Sequence, residues 1–417
     1  MFYLIINAIC YLSFLTWIWY KSKQFTPGVL IVLLWTIVAV ACIFYYPTDN
    51  FFIGKLTLWP FIYLYGTFLL FARIFFKDKK VYDTLPSIVG GRSRTMDFFC
   101  YIYVLCVVVN VIADGLNISQ LAFSNIVDNA SEAYSEHFNL DKEYANVWLR
   151  LTHVYEYYFY YIVLIVAFNS ICQGRNLFSL LLIAIVFLKK LLDSAMVGDR
   201  TQIFVIVMLF AVLYSLYHRY MHKRTKKLFL VFSLLLGMAV LSYFLAVTIS
   251  RFDNMHMGTG GSLLHYLGAS MLYFDHGLVD YIKDYFGGVA TFSGLLERIG
   301  IDPPIDIYYN HVADYLLGTR VGSYFITFIG TLYMDFGFIL TIIIAIIWPP
   351  VINKLVFLNG RISYPGLYLY LFYFCRLARG VFTNGFNAAV MYYQAFLFYI
   401  LLWIVIMVKN YIKKRLL

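Results

Sequence analysis

Long apolar runs alternate with short polar connectors from one end of the chain to the other. About eleven of these runs approach the roughly 20 residues that a helix needs to cross a hydrocarbon layer. They lie near residues 2–20, 26–46, 52–76, 97–115, 148–171, 176–192, 202–218, 227–248, 331–350, 363–378 and 388–408. Lipid offers no water to backbone amides, so each run must pair its own N–H and C=O groups as a helix. The alternation that a membrane barrel needs does not occur. The pattern predicts an all-α, polytopic integral membrane bundle of about 11 transmembrane helices. It forms a single membrane domain over residues 1–417, with polar loops near 116–147 and 250–329. The first run has neither a basic leader nor a small-residue cleavage site and reads as a retained helix.

Composition excludes a soluble alternative. With 62% hydrophobic and 13% charged residues, the chain has too few polar side chains to cover a water-facing surface. The net charge of +10 is unevenly placed. Connectors at 21–23, 77–94, 219–227, 354–361 and 409–415 fall on one side of the alternation. That side carries about 20 of the 32 basic residues and about 3 of the 22 acids, which makes it cytoplasmic. The amino terminus is then outside and the carboxy terminus cytoplasmic. The basic pI is thus a matter of topology, with no nucleic acid implied. The run RYMHKRTKK at 219–227 reads as an anchor facing anionic membrane lipid. The six cysteines lie in or beside apolar runs without a CxxC pair, as free packing thiols do.

The two outside loops differ. Residues 116–147 are acidic, with Asp128, Glu132, Glu136, Asp141 and Glu143 against Lys142. Residues 250–329 contain amphipathic patterns at 262–274 and 294–299, broken by Asp302-Pro303-Pro304. They are expected to form short helices lying on the outer face. Its histidines, among them His256 and His311, lack metal-ligand spacing. Aromatic residues make up 20% of the chain and cluster at 155–161 (YEYYFYY) and 368–374 (YLYLFYF). Two readings stay open for these clusters: interfacial belts and helix packing, or platforms on which sugar rings stack.

Charges that oppose the gradient are the sharpest functional signal, because ionisable groups within spans are costly. Arg150, His153 and Glu156 follow one another at helical spacing. Lys189, Lys190, Asp193, Asp199 and Arg200 end the next outward run. Arg251 and Arg320 lie in the large loop, and Arg376 and Arg379 end the penultimate run. The plain alternative is that each snorkels to the headgroups. Arginines gathered at one side of a membrane suit a polyanion, since guanidinium forks bind phosphate oxygens in pairs and keep their charge. Their charge also steadies a departing diphosphate without a metal or other cofactor.

Two short motifs direct that chemistry. Gly198-Asp199-Arg200 opens a helix at Thr201. Gly322-Ser323 is followed by Leu332-Tyr333-Met334-Asp335-Phe336-Gly337 at the start of a span. Asp335-Phe336-Gly337 lacks the surroundings of a kinase triad. Its plain reading is a buried aspartate that caps a helix or pairs with an arginine. Together these segments resemble the G-x-R turn and the aromatic-Asp-Phe-Gly segment of Wzy-type oligosaccharide repeat-unit polymerases. The number of runs and the place of the large loop also fit. Arg251 and Arg320, each followed by a glycine ten residues on, match a looser pattern of that family.

The resemblance implies an O-antigen or capsular polysaccharide polymerase of the bacterial plasma (inner) membrane. Such an enzyme is a glycosyltransferase that joins undecaprenyl-diphosphate-linked oligosaccharides, at times with a chain-length regulator protein. It implies that Arg200, Arg376 and Arg379 clamp the diphosphate. Arg150, Arg251, His256, Arg320, Tyr333 and Asp335 are then substrate-binding. His311, His256 or Glu156 is the general base, with no choice among them, and no metal or nucleotide takes part. Rival readings are an O-antigen ligase using the same donor and a lipid-linked oligosaccharide flippase. A flippase calls for charges along a midplane path and for internal repeats, and no repeat is evident.

The charge asymmetry makes the topology testable. Reporter fusions at Lys79 and Lys226 are expected to report the cytoplasm, and fusions at Asp128 and Asp280 the outside. A cytoplasmic Asp280 would overturn the placement of the large loop.

Overall fold

The computed structural model describes residues 1–48, 56–89, 91, 93–118, 147–197, 201–227, 229, 231, 237–238, 242, 258–275, 287–296, 299–301, 327–382 and 389–416. The described residues are helical, without a strand among them. Seven of the helices are long and apolar enough to cross a membrane. Helices stand at every expected span except that near 227–248, which lies mostly outside the described residues.

Contacts divide the chain into two compact units, a finer partition than the single domain read from hydropathy. One unit comprises Met1–Val81, Leu263–Gly360 and Pro365–Leu417. It is built from α1 (Phe2–Ser22), α2 (Pro27–Tyr45) and α3 (Trp59–Ala72). The other comprises Tyr82–Ser262 and Arg361–Tyr364. Its helices are α4 (Arg94–Ile118), α5 (Val147–Cys172), α6 (Asn176–Val197) and α7 (Thr201–Tyr217). The first unit is completed by α8 (Gly258–Tyr273, from Leu263 on), α9 (Val289–Leu296), α10 (Phe328–Val356), α11 (Tyr364–Arg379) and α12 (Ala389–Leu416).

Local chemistry sets the helix ends. The Lys23 backbone turns left-handed and its N–H returns to Trp19 O at 2.8 Å, ending α1. Thr26 then accepts the Val29 N–H, with Pro27 at the first helical position, and α2 begins. One side of α1 and one side of α10 face outward with apolar groups, among them Phe2, Ile5 and Ile9, and Ile339, Ile343 and Ile347. Exposed aliphatic stripes of this kind suit lipid rather than water.

The core of the first unit is aromatic. Trp35 stacks on Phe68 at 4.2 Å between ring centroids, and Phe328 of α10 meets both Trp35 and Phe71 edge-on. Every residue of α11 from 365 to 378 is buried. Phe75 packs among Tyr370, Tyr373 and Phe374, and the Tyr373 hydroxyl donates to Phe71 O at 2.9 Å. In the second unit, Tyr158, Phe159, Tyr160 and Tyr161 are buried, and Tyr155 stacks on Phe159. The buried members of both clusters therefore serve helix packing, while Tyr155 and Tyr157 are only partly covered.

One expectation for the large loop is corrected. Residues 268–275 do not lie on a surface; all are buried. Gly268 comes so close to α2 that Cys42 Sγ donates to its carbonyl at 2.8 Å. His265 Nδ1 and the Tyr45 hydroxyl are 2.7 Å apart. Small residues at Gly268, Ala269 and Ser270 allow this approach, as they do between helices in lipid.

A Cβ on Gly268 would lie 2.9 Å from Ala41 O, whereas one on Gly66 would meet nothing within 4 Å. Gly268→Val is therefore expected to cost about 1–3 kcal/mol through overpacking. Gly66→Ala should be neutral or stabilising by up to about 1 kcal/mol. Thermal unfolding in detergent compares the two.

Candidate functional site

Each unit contains a buried polar centre. In the second unit the centre joins α4, α5 and α6. Glu156, Lys189 and Lys190 have side chains only 3% exposed, so their charges face each other without water. Lys189 Nζ lies 3.5 Å from Glu156 Oε2, and Lys190 Nζ lies 3.6 Å from Oε1. Asp193, three and four residues further along α6, pairs with both lysines and is 3.2 Å from Lys190. Neighbouring lysines on a helix point apart, and it is the two acids that draw them to one place. Asn110 Nδ2 donates to Glu156 Oε2 at 2.7 Å, and Thr152 Oγ1 donates to Asn110 Oδ1 at 2.7 Å. Lys190 also lies over the Tyr160 and Tyr157 rings at 5.1 and 5.5 Å. The cluster holds two formal positive and two formal negative charges, the balance that a buried set requires.

Glu156, one of the expected base candidates, is held here as a counter-ion of Lys189 and Lys190, and its Oε2 accepts from Asn110. The same helix carries Arg150, whose side chain is not among those described. Asn110 and Thr152 were missed by the sequence reading. Asn110 was findable as the one amide within the apolar run VVVNVIA of α4.

In the first unit, two of the candidate segments lie on two helices joined at one end. Arg376 and Arg379 occupy the last turn of α11, where the helix dipole favours cations. Arg376 is only 6% exposed and its guanidinium lies 4.9 Å from the Phe372 ring centroid. Arg379 is half-buried, and its Nε is buried without an acceptor among the described residues. Gly380 follows; its N–H returns to Arg376 O at 2.9 Å, and its carbonyl accepts the Phe328 N–H at 2.7 Å. A Cβ there would lie 2.6 Å from the Phe328 ring, so glycine lets the end of α11 meet the start of α10. Thr327 caps that start by accepting the Gly330 N–H.

The aromatic-Asp-Phe-Gly segment follows on α10, its aspartate about two turns, or roughly 10 Å, from Phe328. Tyr333 is buried edge-on to Tyr63 and Phe274. Asp335 is wholly buried; its Oδ2 accepts the Thr291 N–H at 2.7 Å and the Thr291 hydroxyl. Gly337 has φ 74° and ψ −176°, a conformation essentially reserved for glycine, and α10 kinks there. Asp335 thus takes the plain reading of its motif, a buried cap, and Thr291 is a partner that sequence spacing did not reveal. A second buried acid, Asp275, is held in the same way by the N–H and hydroxyl of Thr57 at 3.2 and 3.0 Å.

Of the sequence-predicted site residues, the structure brings Arg376, Arg379, Tyr333 and Asp335 onto one pair of joined helices. Arg200, Arg251, His256, His311 and Arg320 lie outside the described residues. No family model, curated protein or solved structure matches the chain.

The closed cluster in the second unit makes a stability prediction. Glu156→Gln leaves two buried ammonium groups facing one carboxylate and should cost about 3 kcal/mol. Adding Lys189→Met restores the charge balance and should recover part of that loss. Melting temperatures of the single and double variants in detergent check the sign.

Proposed function

We propose that the chain is an O-antigen or capsular repeat-unit polymerase, a membrane glycosyltransferase. It joins undecaprenyl-diphosphate-linked oligosaccharides at the outer face of a bacterial plasma membrane. About 11 spans place the amino terminus outside and the carboxy terminus in the cytoplasm. The observation that carries this reading is the arginine end of α11. A buried Arg376 and an Arg379 whose Nε finds no acceptor among the described residues stand one turn apart, beside the helix that bears Tyr333-Met334-Asp335-Phe336-Gly337. Two guanidinium groups at one helix end suit a diphosphate better than a neutral ligand.

In the reaction, a hydroxyl oxygen of the incoming repeat unit attacks the anomeric carbon of the growing chain. The bond from that carbon to the diphosphate oxygen breaks, and the electron pair leaves with the lipid diphosphate. A base takes the hydroxyl proton. Arg376 and Arg379 bind the diphosphate and stabilise the charge that it gains. The donor is already activated, so the chemistry calls for no nucleotide. Arg200 of the Gly198-Asp199-Arg200 turn completes the clamp in this reading. The base is not assigned, since Glu156 is held as a counter-ion.

Purified protein and synthetic lipid-linked repeat units test the proposal. Wild-type protein is expected to form polymer. Arg376→Ala and Arg379→Ala should each lower the rate on the order of a hundredfold. Arg376→Lys should remain poor, because an ammonium cannot form a paired fork. Normal polymerisation by both alanine variants would remove the arginines from the site. Transfer of the glycan only to lipid A-core would make the chain a ligase, and lipid translocation without transfer would make it a flippase.

A further inference from the structure

The aromatic-Asp-Phe-Gly segment makes a set of contacts that its sequence alone does not explain. Its target is α9, an eight-residue helix from the 250–329 stretch. Gly337 interrupts α10 with a left-handed φ, so the helix cannot carry its regular bond across that point. The carbonyl of Asp335 accepts instead from Gly287 N at 2.8 Å, just before α9 begins. The carboxylate of Asp335 takes the Thr291 N–H, a donor in the first turn of α9 that no carbonyl of its own helix can reach, together with the Thr291 hydroxyl. Phe336 sits edge-on to Phe292 with centroids 6.2 Å apart. Gly288, at φ +94°, fits beneath both rings, where a Cβ would lie 2.9 Å from Phe292 and 3.1 Å from Phe336. On another side α9 packs against α12.

These contacts use all three residues of the segment and point at one element. The geometry points to Asp335 as a positioning residue rather than a substrate ligand: with Phe336 and Gly337 it latches α9 to α10, and the proposed glycosyl transfer depends on α9 being held there. The dependence on transfer rests on the polymerase reading; the latch itself does not. An aspartate suits the task because its buried carboxylate accepts two donors from one threonine. The glycine suits it because the kink turns the Asp335 carbonyl out of the helix ladder.

Four variants of the full-length protein test the latch: Asp335→Ala, Asp335→Asn, Thr291→Val and Thr291→Ser. Hydrogen exchange read by mass spectrometry over residues 289–296 reports on α9, with peptides from α11 as the internal control. Asp335→Ala and Thr291→Val should speed exchange in α9 on the order of tenfold or more, since each removes a charge-assisted hydrogen bond. Exchange in α11 should not change. Thr291→Ser keeps both donors and should behave as wild type, with Asp335→Asn between. Polymer formation from lipid-linked repeat units should fall in the same order as protection of α9. Thr291→Val should then lose as much activity as Asp335→Ala, chiefly in kcat, with KM for the repeat unit little changed.

A substrate ligand at Asp335 would give another pattern: both Asp335 variants inactive and Thr291→Val active. That result, or unchanged α9 exchange in Asp335→Ala, overturns the inference. Freed α9 with normal polymerisation also overturns it and leaves the polymerase reading intact. Wild-type protein inert on all lipid-linked repeat units would sink the polymerase reading and the positioning role with it, while exchange still decides the latch.

Discussion

A polar group inside an apolar bundle must find its partner within the protein, because neither lipid nor packed aromatic side chains will supply one. The described structure is arranged around that constraint. Glu156 draws two lysines, an asparagine and, through it, a threonine into one place on three helices. Asp335 and Asp275 each take the N–H and hydroxyl of a single threonine. Burial of each acid would be prohibitive alone, so the contacts fix which helices meet and at what height. The acids specify register within each unit even where a hydrophobic substitute would be as stable.

Aromatic mass and glycine gaps do the complementary work. Lipid tails are as apolar as leucine, so helices in a membrane gain little from hydrophobic burial and depend on close, shape-matched contact. Tyrosine and phenylalanine supply area with few rotamers to freeze. Their hydroxyls reach carbonyls at the points where a helix needs an extra tie, as Tyr373 does to Phe71 O and Tyr63 to Phe338 O. Gly268 and Gly380 provide the opposite feature, places where backbone touches backbone. The abundance of aromatic residues thus has a structural explanation, and sugar recognition need not be invoked for the buried members of the two clusters.

The functional reading gains from the company that Arg376 and Arg379 keep. Their helix end is bonded to the start of α10, which carries Tyr333 and Asp335 a short way along. Residues of separate sequence motifs therefore share one end of one unit. Glu156 stands as a counter-ion: two ammonium groups and an amide lie against its carboxylate. The Asp335 carboxylate is likewise engaged, by the N–H and hydroxyl of Thr291.

The sequence by itself determined that the chain is helical, with runs long and apolar enough to cross a membrane. Run length and the scarcity of charge are local properties, and local properties are legible without a fold. It also marked the right residues as unusual, since an ionisable group in an apolar run stands out whatever its partner is. Only the tertiary structure decided what those residues touch. Glu156 and Lys189 are 33 residues apart, and Thr291 and Asp335 are 44 apart. No periodicity links positions that far along the chain. The burial of residues 268–275 was hidden for a related reason. An amphipathic pattern records that one side of a helix is apolar, while whether lipid or another helix covers it depends on the neighbours that folding supplies.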